Sequence, residues 1–313
     1  MRDVLKVMIV GVVLVPVAEA RDLYVNNLTG DDRASGAAPR VVSEGNGPVR
    51  TIQRALRYAE FGDRIVLANT GEPYREQVSV QGARNSGSSQ SPFIIEGNGA
   101  TLDGTARIAA DLWQPAGTGL LRYRPPRISF QRLFLNGRPL AAQSIDRKGR
   151  LASLAPGQWC MFQQSIHYRP ESDVPLNEQD LGVSLHSMGI TLYNVRHVVV
   201  RNLFIQGFRL DGVNALDNSF DCRLDTLTCR WNGRSGISVG GASRVKVQDC
   251  LLEDNGVAQL RTEGWSHVVA TDCKFVGTNA WKMDGGRLSV DGKDQERKRT
   301  IPINVDSSPL DRP

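Results

Sequence analysis

Four charged side chains in the last third of the chain have types and positions suited to proton-abstraction chemistry. Removing a proton next to a carboxylate needs a cation that neutralises the carboxylate and a base that accepts the proton. Lys282 and Arg261 could share these roles, with either one as the base. Asp284 and Glu263 lie nearby in the sequence and could hold Ca²⁺, which takes several oxygen ligands. The sequence therefore predicts Lys282 and Arg261 as catalytic residues, and Asp284 and Glu263 as metal ligands.

These residues can act together only if a regular framework brings them close. The second half of the chain contains a sequence repeat that could provide such a framework. Four segments carry apolar residues at their first, third, sixth and eighth positions. This pattern indicates two short strands joined at a tight bend, each with one buried face. The sixth positions recur every 23 or 24 residues, at Leu203, Leu227, Cys250 and Cys273. The preceding residues suit a turn and could bond along the stack: Asn202, Thr226, Asp249 and Asp272.

A third short strand follows within each repeat, at residues 190–192, 213–215, 237–239, 258–260 and 281–283. Three strands per 21–24 residues predict one coil of a parallel β-helix. A sandwich of short antiparallel strands would not explain columns that recur at this period. The outward column of the third strands is predicted to be Thr191, Asn214, Ser238, Gln259 and Lys282. Its polar members and a flanking cation are the candidate substrate-binding residues: Asn214, Ser238, Gln259 and Arg234.

The N-terminal region contains a short amphipathic helix. Ile52, Ala55, Leu56 and Ala59 form one apolar stripe, and Thr51 is a suitable N-cap. Such a helix could close the open end of the coil stack, where apolar core would otherwise meet water. The runs at residues 65–67, 78–80 and 93–95 are then expected to be the strands of the first coil.

With this order of strand, helix and coil, the chain resembles the right-handed parallel β-helix proteins of the pectate-lyase-like superfamily. The resemblance covers roughly residues 23–103 and 186–284. It implies an all-β, right-handed parallel β-helix with an N-terminal capping helix and a substrate groove along the third strands. It does not select an activity, because lyases, hydrolases, epimerases and non-enzymes share this fold. The clustered Asp, Gly-His and Arg-x-Lys set of polygalacturonases is absent, as is the Arg-x-Pro-x-x-Arg string of pectate lyases.

The sequence divides into five parts, with residues 1–20 as a signal peptide and 21–105 as the cap and first coils. Residues 106–185 do not repeat and are predicted to be a β-rich insertion with a hairpin turn at Asn136-Gly137. Its Trp113 and Trp159 could line a sugar groove, although a small core of the insertion is favoured. Residues 186–286 hold the repeat coils, and 287–313 form a charged tail with several prolines. An uncovered end of the helix would invite self-association.

Composition and the N-terminal segment limit the setting of the protein. A hydrophobic fraction of 40% excludes a disordered chain, and the net charge of +5 only slightly favours an acidic partner. Residues 1–20 resemble a secretory signal more than an uncleaved anchor, so a secreted, periplasmic or cell-surface location is expected. The five Cys lack a CxxC pair, which argues against zinc. Cys250 and Cys273 are within backbone reach of a disulfide, but small core side chains are the favoured role.

These observations predict an exported protein that interacts with an extracellular, acidic polysaccharide. β-Elimination with Lys282 or Arg261 as base is the leading reaction, and Ca²⁺ is the expected cofactor. No nucleic-acid partner and no membrane span after signal cleavage are expected. The alternatives are a non-catalytic carbohydrate-binding or cell-surface repeat protein, and an inactive, shortened family member.

Overall fold

The structure is a computed structural model that describes residues 20–296, apart from 118, 147, 148, 150, 152, 172–174 and 278. The predicted signal peptide, apart from Ala20, and residues 297–313 of the predicted tail therefore lie outside the described residues. No helix among the described residues is long and apolar enough to cross a membrane.

Two parallel sheets form the body of the molecule. The first, which we call the wall sheet, contains both strands of each bent segment. Its strands are Asp22–Val25, Arg64–Leu67, Phe93–Asp103, Val198–Gln206, Cys222–Arg230, Arg244–Gln248, Leu251–Glu253, His267–Thr271, Lys274–Val276, Arg287–Val290 and Lys293–Asp294. All pairs in it are parallel except the last, in which Lys293–Asp294 turns back against Arg287–Val290.

The second sheet, which we call the groove sheet, contains the predicted third strands. It consists of Val78–Gln81, Ile190–Tyr193, Asp211–Leu216, Ser235–Val239, Ala258–Thr262 and Trp281–Met283. Every neighbouring pair is parallel. Each coil thus passes along the wall sheet, bends, continues along the wall sheet and returns through the groove sheet. The predicted parallel β-helix is confirmed.

The bends inside the wall sheet form where the sequence predicts them. Asn202, Thr226, Asp249 and Asp272 have φ angles of 55°, 52°, 50° and 53°. Short polar residues, Asn and Asp above all, enter this left-handed region more readily than other side chains and allow a tight bend. The predicted bonding among these side chains is not observed. Asn202 instead donates from Nδ2 to Glu96 Oε1 at 2.8 Å.

A buried amide ladder lies at the next bend, where the chain leaves the wall sheet for the groove sheet. Asn232 donates from Nδ2 to Oδ1 of Asn255 at 3.0 Å, and both residues are almost completely buried. Asn255 in turn donates to the Cys229 carbonyl at 3.0 Å, and Asn232 Oδ1 accepts from the backbone N–H of Phe208 at 3.0 Å. These bonds satisfy backbone groups that the bend leaves without sheet partners.

The apolar columns stack in register along the axis. Leu203 pairs with Leu227, and Ile205 pairs with Cys229. Leu252 then pairs with Phe275 in the last coils. These side chains, together with Cys250 and Cys273, belong to one core cluster inside the helix. Burial of apolar side chains in such columns stabilises one coil on the next.

The helix Ile52–Tyr58 closes the N-terminal end of this core. Thr51 is its N-cap and accepts a hydrogen bond from the Arg54 backbone N–H at 3.1 Å. Ile52, Ala55, Leu56 and Ala59 are buried against the core. The predicted helix, its N-cap and its apolar stripe are all confirmed.

Residues between the first coils and the repeat form two small layers with a separate core, and all their strand pairs are antiparallel except that of Ala142–Gln143 with Trp159–Phe162. One sheet contains Thr105–Arg107, Leu133–Leu135, Arg138–Pro139 and Leu181–Ser184. The other contains Gln114–Pro115, Leu121–Tyr123, Ala142–Gln143, Trp159–Phe162 and Ser165–Tyr168. Trp113 and Trp159 belong to the core of this insertion. The hairpin at Asn136-Gly137 is confirmed, with φ angles of 52° and 71°.

The C-terminal end differs from the sequence prediction. The sequence placed the end of the last coil at Gly286. Strand Arg287–Val290 instead pairs in parallel with His267–Thr271, and Leu288 is buried in the helix core. The coil stack therefore extends into the predicted tail, and the short strand Lys293–Asp294 pairs with part of its last edge.

Burial separates the five thiols into two groups. Cys160, Cys222, Cys229 and Cys250 are buried, whereas Cys273 is partly exposed. A hydrogen bond from the Cys250 thiol lowers the pKa of Cys273, although desolvation opposes this shift. We expect one thiol of the native protein to react rapidly with Ellman's reagent, and Cys273→Ala to remove that reaction. Rapid reaction of a second thiol, or a full reaction in the variant, would contradict this assignment.

Candidate functional site

The outward column of the groove sheet is confirmed at four of its five predicted places. Thr191 pairs with Asn214, and Asn214 pairs with Ser238. Ser238 then pairs with Arg261, and Arg261 with Lys282. The two predicted catalytic cations are therefore direct neighbours on adjacent coils, and Gln259 is not a member of this column.

Gln259 was assigned to this column wrongly, because the strand predicted at residues 258–260 is shifted by two residues from the register in the structure. The inward residues that match Ile237 and Val239 are Leu260 and Thr262. Thr262 tolerates burial because its hydroxyl donates to the Gly285 carbonyl at 2.7 Å. Gln259 is fully buried, and its Oε1 accepts from Nδ2 of Asn255 at 2.8 Å. It therefore extends the amide ladder and does not reach a ligand on the surface.

The other predicted substrate-binding residues are in place but largely covered. Asn214 and Ser238 are 2% and 3% exposed. Arg234 is bound to the fully buried carboxylate of Asp211, with Nε donating to Oδ1 at 2.9 Å and Nη2 donating to Oδ2. Asn214 also donates to Asp211 Oδ2 at 3.1 Å. This group forms a structural ion pair under the groove face and offers little surface to a polysaccharide.

Four predicted residues meet at the last two groove strands, and we call them the charged cluster: Arg261, Glu263, Lys282 and Asp284. Nη2 of Arg261 lies 2.6 Å from Glu263 Oε1 and 2.8 Å from Asp284 Oδ2. Lys282 Nζ lies 3.5 Å from Asp284 Oδ1. The Arg261 side chain is 13% exposed and that of Lys282 is 50% exposed. Lys282 is therefore the cation that an incoming ligand can reach first.

The electrostatics of the cluster do not fit a calcium site. Partial burial alone would raise the pKa of Asp284, but the hydrogen bond from Arg261 and the nearby positive charges lower it below its usual value. Its carboxylate and that of Glu263 both bind the Arg261 guanidinium instead of facing a shared opening. Among the described residues, no three His, Cys, Asp or Glu side chains group as metal ligands. We therefore derive no step through Ca²⁺.

A glycosidase would use two carboxylates, and Glu263 and Asp284 are the pair that the cluster offers. Both bind the same nitrogen of Arg261, at 2.6 and 2.8 Å. A glycosidase also needs a general acid with a raised pKa, whereas the pKa of Asp284 is lowered. Asp284 is therefore unsuited to be the general acid of a glycosidase.

A cavity of about 740 Å³ adjoins the charged cluster at Asp284. Its other lining residues include Arg244, His267 and Arg287, together with Trp265, which is 90% exposed. Trp265 is held in a coil turn by its backbone N–H, which donates to the Gly241 carbonyl at 2.8 Å. Single exposed apolar side chains are common on protein surfaces, so the indole is informative here only because it lines the same cavity as three basic side chains. Trp265 is not among the residues predicted from the sequence, although a Trp between Gly264 and Ser266 in a turn was a usable signal.

Comparisons with known proteins give one sequence relative and several similar solved structures. No family model matches the chain. Pectate lyase 1 of Ambrosia artemisiifolia is 24% identical over 125 residues, which cover 37% of this chain and 30% of that relative. A solved structure described as a glycoside hydrolase matches 88% of this chain and 74% of its own, with a TM-score of 0.58 and 12% identity. A structure of XylC with xylose matches 86% and 69%, with a TM-score of 0.43 and 12% identity. The chain thus has the parallel β-helix fold of pectate-lyase-like proteins.

Proposed function

We propose that this protein binds an acidic extracellular polysaccharide across the charged cluster and the neighbouring Trp265 cavity. The observation that carries the proposal is the combination in one cavity of an exposed indole ring with Arg244, His267 and Arg287. An aromatic face provides a large, rigid surface on which a sugar ring can stack. Arginine side chains bind carboxylates through paired hydrogen bonds, so uronate groups suit this surface better than neutral sugars.

The named relatives support a carbohydrate ligand without specifying it, since one is a pectate lyase and the other a glycoside hydrolase. Export by the N-terminal segment belongs to the same proposal, because such polymers lie outside the cell. In the free protein, Glu263 and Asp284 compensate the charges of Arg261 and Lys282. A bound uronate must therefore compete with these carboxylates, which favours repeated weak contacts along a polymer over tight binding of one sugar.

β-Elimination is the second candidate, and the register of Arg261 with Lys282 favours it. Arg261 would neutralise the uronate carboxylate, which makes the hydrogen on the adjacent carbon more acidic. The Nζ of Lys282, as the neutral amine, would accept this proton, and the electron pair of the broken carbon–hydrogen bond would form the carbon–carbon double bond. The glycosidic oxygen would then leave with its bonding pair and take a proton from water.

The test is a panel of polyuronates read by the ultraviolet absorbance of the unsaturated product, with calcium and with a chelator. If the lyase step operates, Lys282→Ala is expected to lower the rate at least ~100-fold, because general bases contribute about that much. Lys246→Ala is the matched control, since this exposed lysine lies on the wall sheet away from the cluster. Its activity is expected to equal that of the wild type.

The remaining outcomes separate the candidates. Binding without product would support the binding function and exclude elimination. Release of reducing ends without absorbance would indicate hydrolysis and would contradict the role of Lys282 as a base. Absence of binding and of product across the panel would overturn the proposed function.

A further inference from the structure

A second cavity, of about 620 Å³, lies at the seam between the insertion and the β-helix. We call it the seam pocket. The insertion supplies Phe130, Arg132, Leu140 and Trp159, and the coil bends supply Asp254 and Gly256. None of the residues of the charged cluster lines it. Its volume is within the ~300–1,000 Å³ of small-molecule sites.

The seam pocket contains a cation, Arg132, whose side chain makes no hydrogen bond to any of the described residues. None of these described residues forms an ion pair with it either. Burial lowers the pKa of Arg132, and the charge of Asp254 only partly opposes this. Removing a guanidinium from water without giving it acceptors costs free energy. Such an arrangement is typical of a site that keeps a charge ready for a ligand.

The backbone around the pocket is held in place by close contacts. A side chain at Gly233 would place its Cβ 1.9 Å from the Phe130 carbonyl oxygen, so the insertion packs directly on the coil bend. Arg209 of the β-helix donates to the hydroxyl of Ser129 in the insertion. Trp159 donates from Nε1 to the Leu140 carbonyl at 3.1 Å and thereby fixes two lining residues. The pocket is therefore organised before any ligand enters, which lowers the entropy cost of binding.

We propose that the seam pocket binds a monosaccharide-sized ligand that carries one carboxylate and several hydroxyl groups. The carboxylate accepts hydrogen bonds from Arg132, and the ligand hydroxyls donate to Asp254. A carboxylate ligand without hydroxyl groups would donate no hydrogen bond to Asp254, and its negative charge would lie close to that of Asp254. A neutral sugar leaves Arg132 without its charged acceptor. This assignment holds whether or not the charged cluster binds or cleaves a polymer.

The test uses the full-length protein with D-galacturonate as the probe and D-galactose as its neutral analogue, measured by titration calorimetry. Wild type is expected to bind galacturonate at least tenfold more tightly than galactose. Arg132→Met is expected to lower the affinity for galacturonate at least tenfold. Its melting temperature is expected to equal or exceed that of the wild type, because a partly buried charge that makes no hydrogen bond is removed. Arg138→Met, at an exposed arginine of the same insertion, is expected to leave both quantities unchanged.

Lys282→Ala alters the charged cluster and leaves the seam pocket intact, so the galacturonate binding that depends on Arg132 is expected to remain in this variant. Loss of binding in Lys282→Ala with full binding in Arg132→Met would overturn the seam-pocket assignment. A lower melting temperature in Arg132→Met would also overturn it, because the guanidinium would then be a structural element. Equal affinity for galactose, or absence of galacturonate binding by the wild type, would overturn it as well.

Discussion

Asp211→Ala is expected to lower the free energy of unfolding by about 3–5 kcal/mol, the cost of removing one partner of a buried ion pair. Asp211 is fully buried and accepts hydrogen bonds from both Nε and Nη2 of Arg234. It also accepts from the buried amide of Asn214. The alanine variant would leave a largely covered guanidinium without an acceptor in the middle of the groove sheet. Urea denaturation followed by circular dichroism measures the difference.

Two further variants distinguish this cause from general damage. Asp211→Ala combined with Arg234→Met is expected to lose less stability than Asp211→Ala alone, because no charge then remains uncompensated. Asp180→Ala removes an exposed ion pair with Arg107 at 3.7 Å and is expected to change stability by less than ~1 kcal/mol. A loss below ~1 kcal/mol in Asp211→Ala would show that the pair does not hold the sheet together.

The coils of the β-helix could be predicted from the sequence because the apolar columns recur at a nearly constant interval. Leu203 and Leu227 mark one column, and their register in the structure follows directly from that interval. The bends were accessible for a related reason, since Asn202 and Asp249 are residue types that enter the left-handed region easily. Both signals are local in each coil and repeat along the chain.

The candidate site could be predicted only in part, because several of its features depend on exceptions to the repeat. Thr262 takes an inward position by bonding the Gly285 carbonyl, which shifted the predicted outward residue from Arg261 to Gln259. Asn232 and Asn255 recur at the coil interval, but polarity alone does not show that a side chain points inward. The seam pocket forms between Arg132 and coil bends that lie more than 100 residues away in the sequence. Such long-range contacts produce no periodic pattern in the sequence.

The opposite case, in which a surface side chain matters for binding and not for stability, is Trp265. Trp265→Ala is expected to weaken the binding of polygalacturonate about 30-fold, which corresponds to ~2 kcal/mol and is typical of a dominant contact. The ring lies 90% exposed beside Arg244 and Arg287, so it can stack on a sugar whose carboxylate reaches the cations. Affinity electrophoresis in gels with embedded polymer measures the change.

Because the indole makes little contact with the rest of the protein, Trp265→Ala is expected to change the free energy of unfolding by less than ~0.5 kcal/mol. Phe61→Ala removes another exposed aromatic ring, 55% exposed and next to the N-terminal helix, and is expected to leave binding unchanged. Added salt is expected to weaken wild-type binding, since the cations that contact uronate are partly exposed. Full retention of binding by Trp265→Ala would show that the polysaccharide does not bind at this cavity. Equal losses of binding in Trp265→Ala and Phe61→Ala would indicate non-specific contact with exposed aromatic side chains.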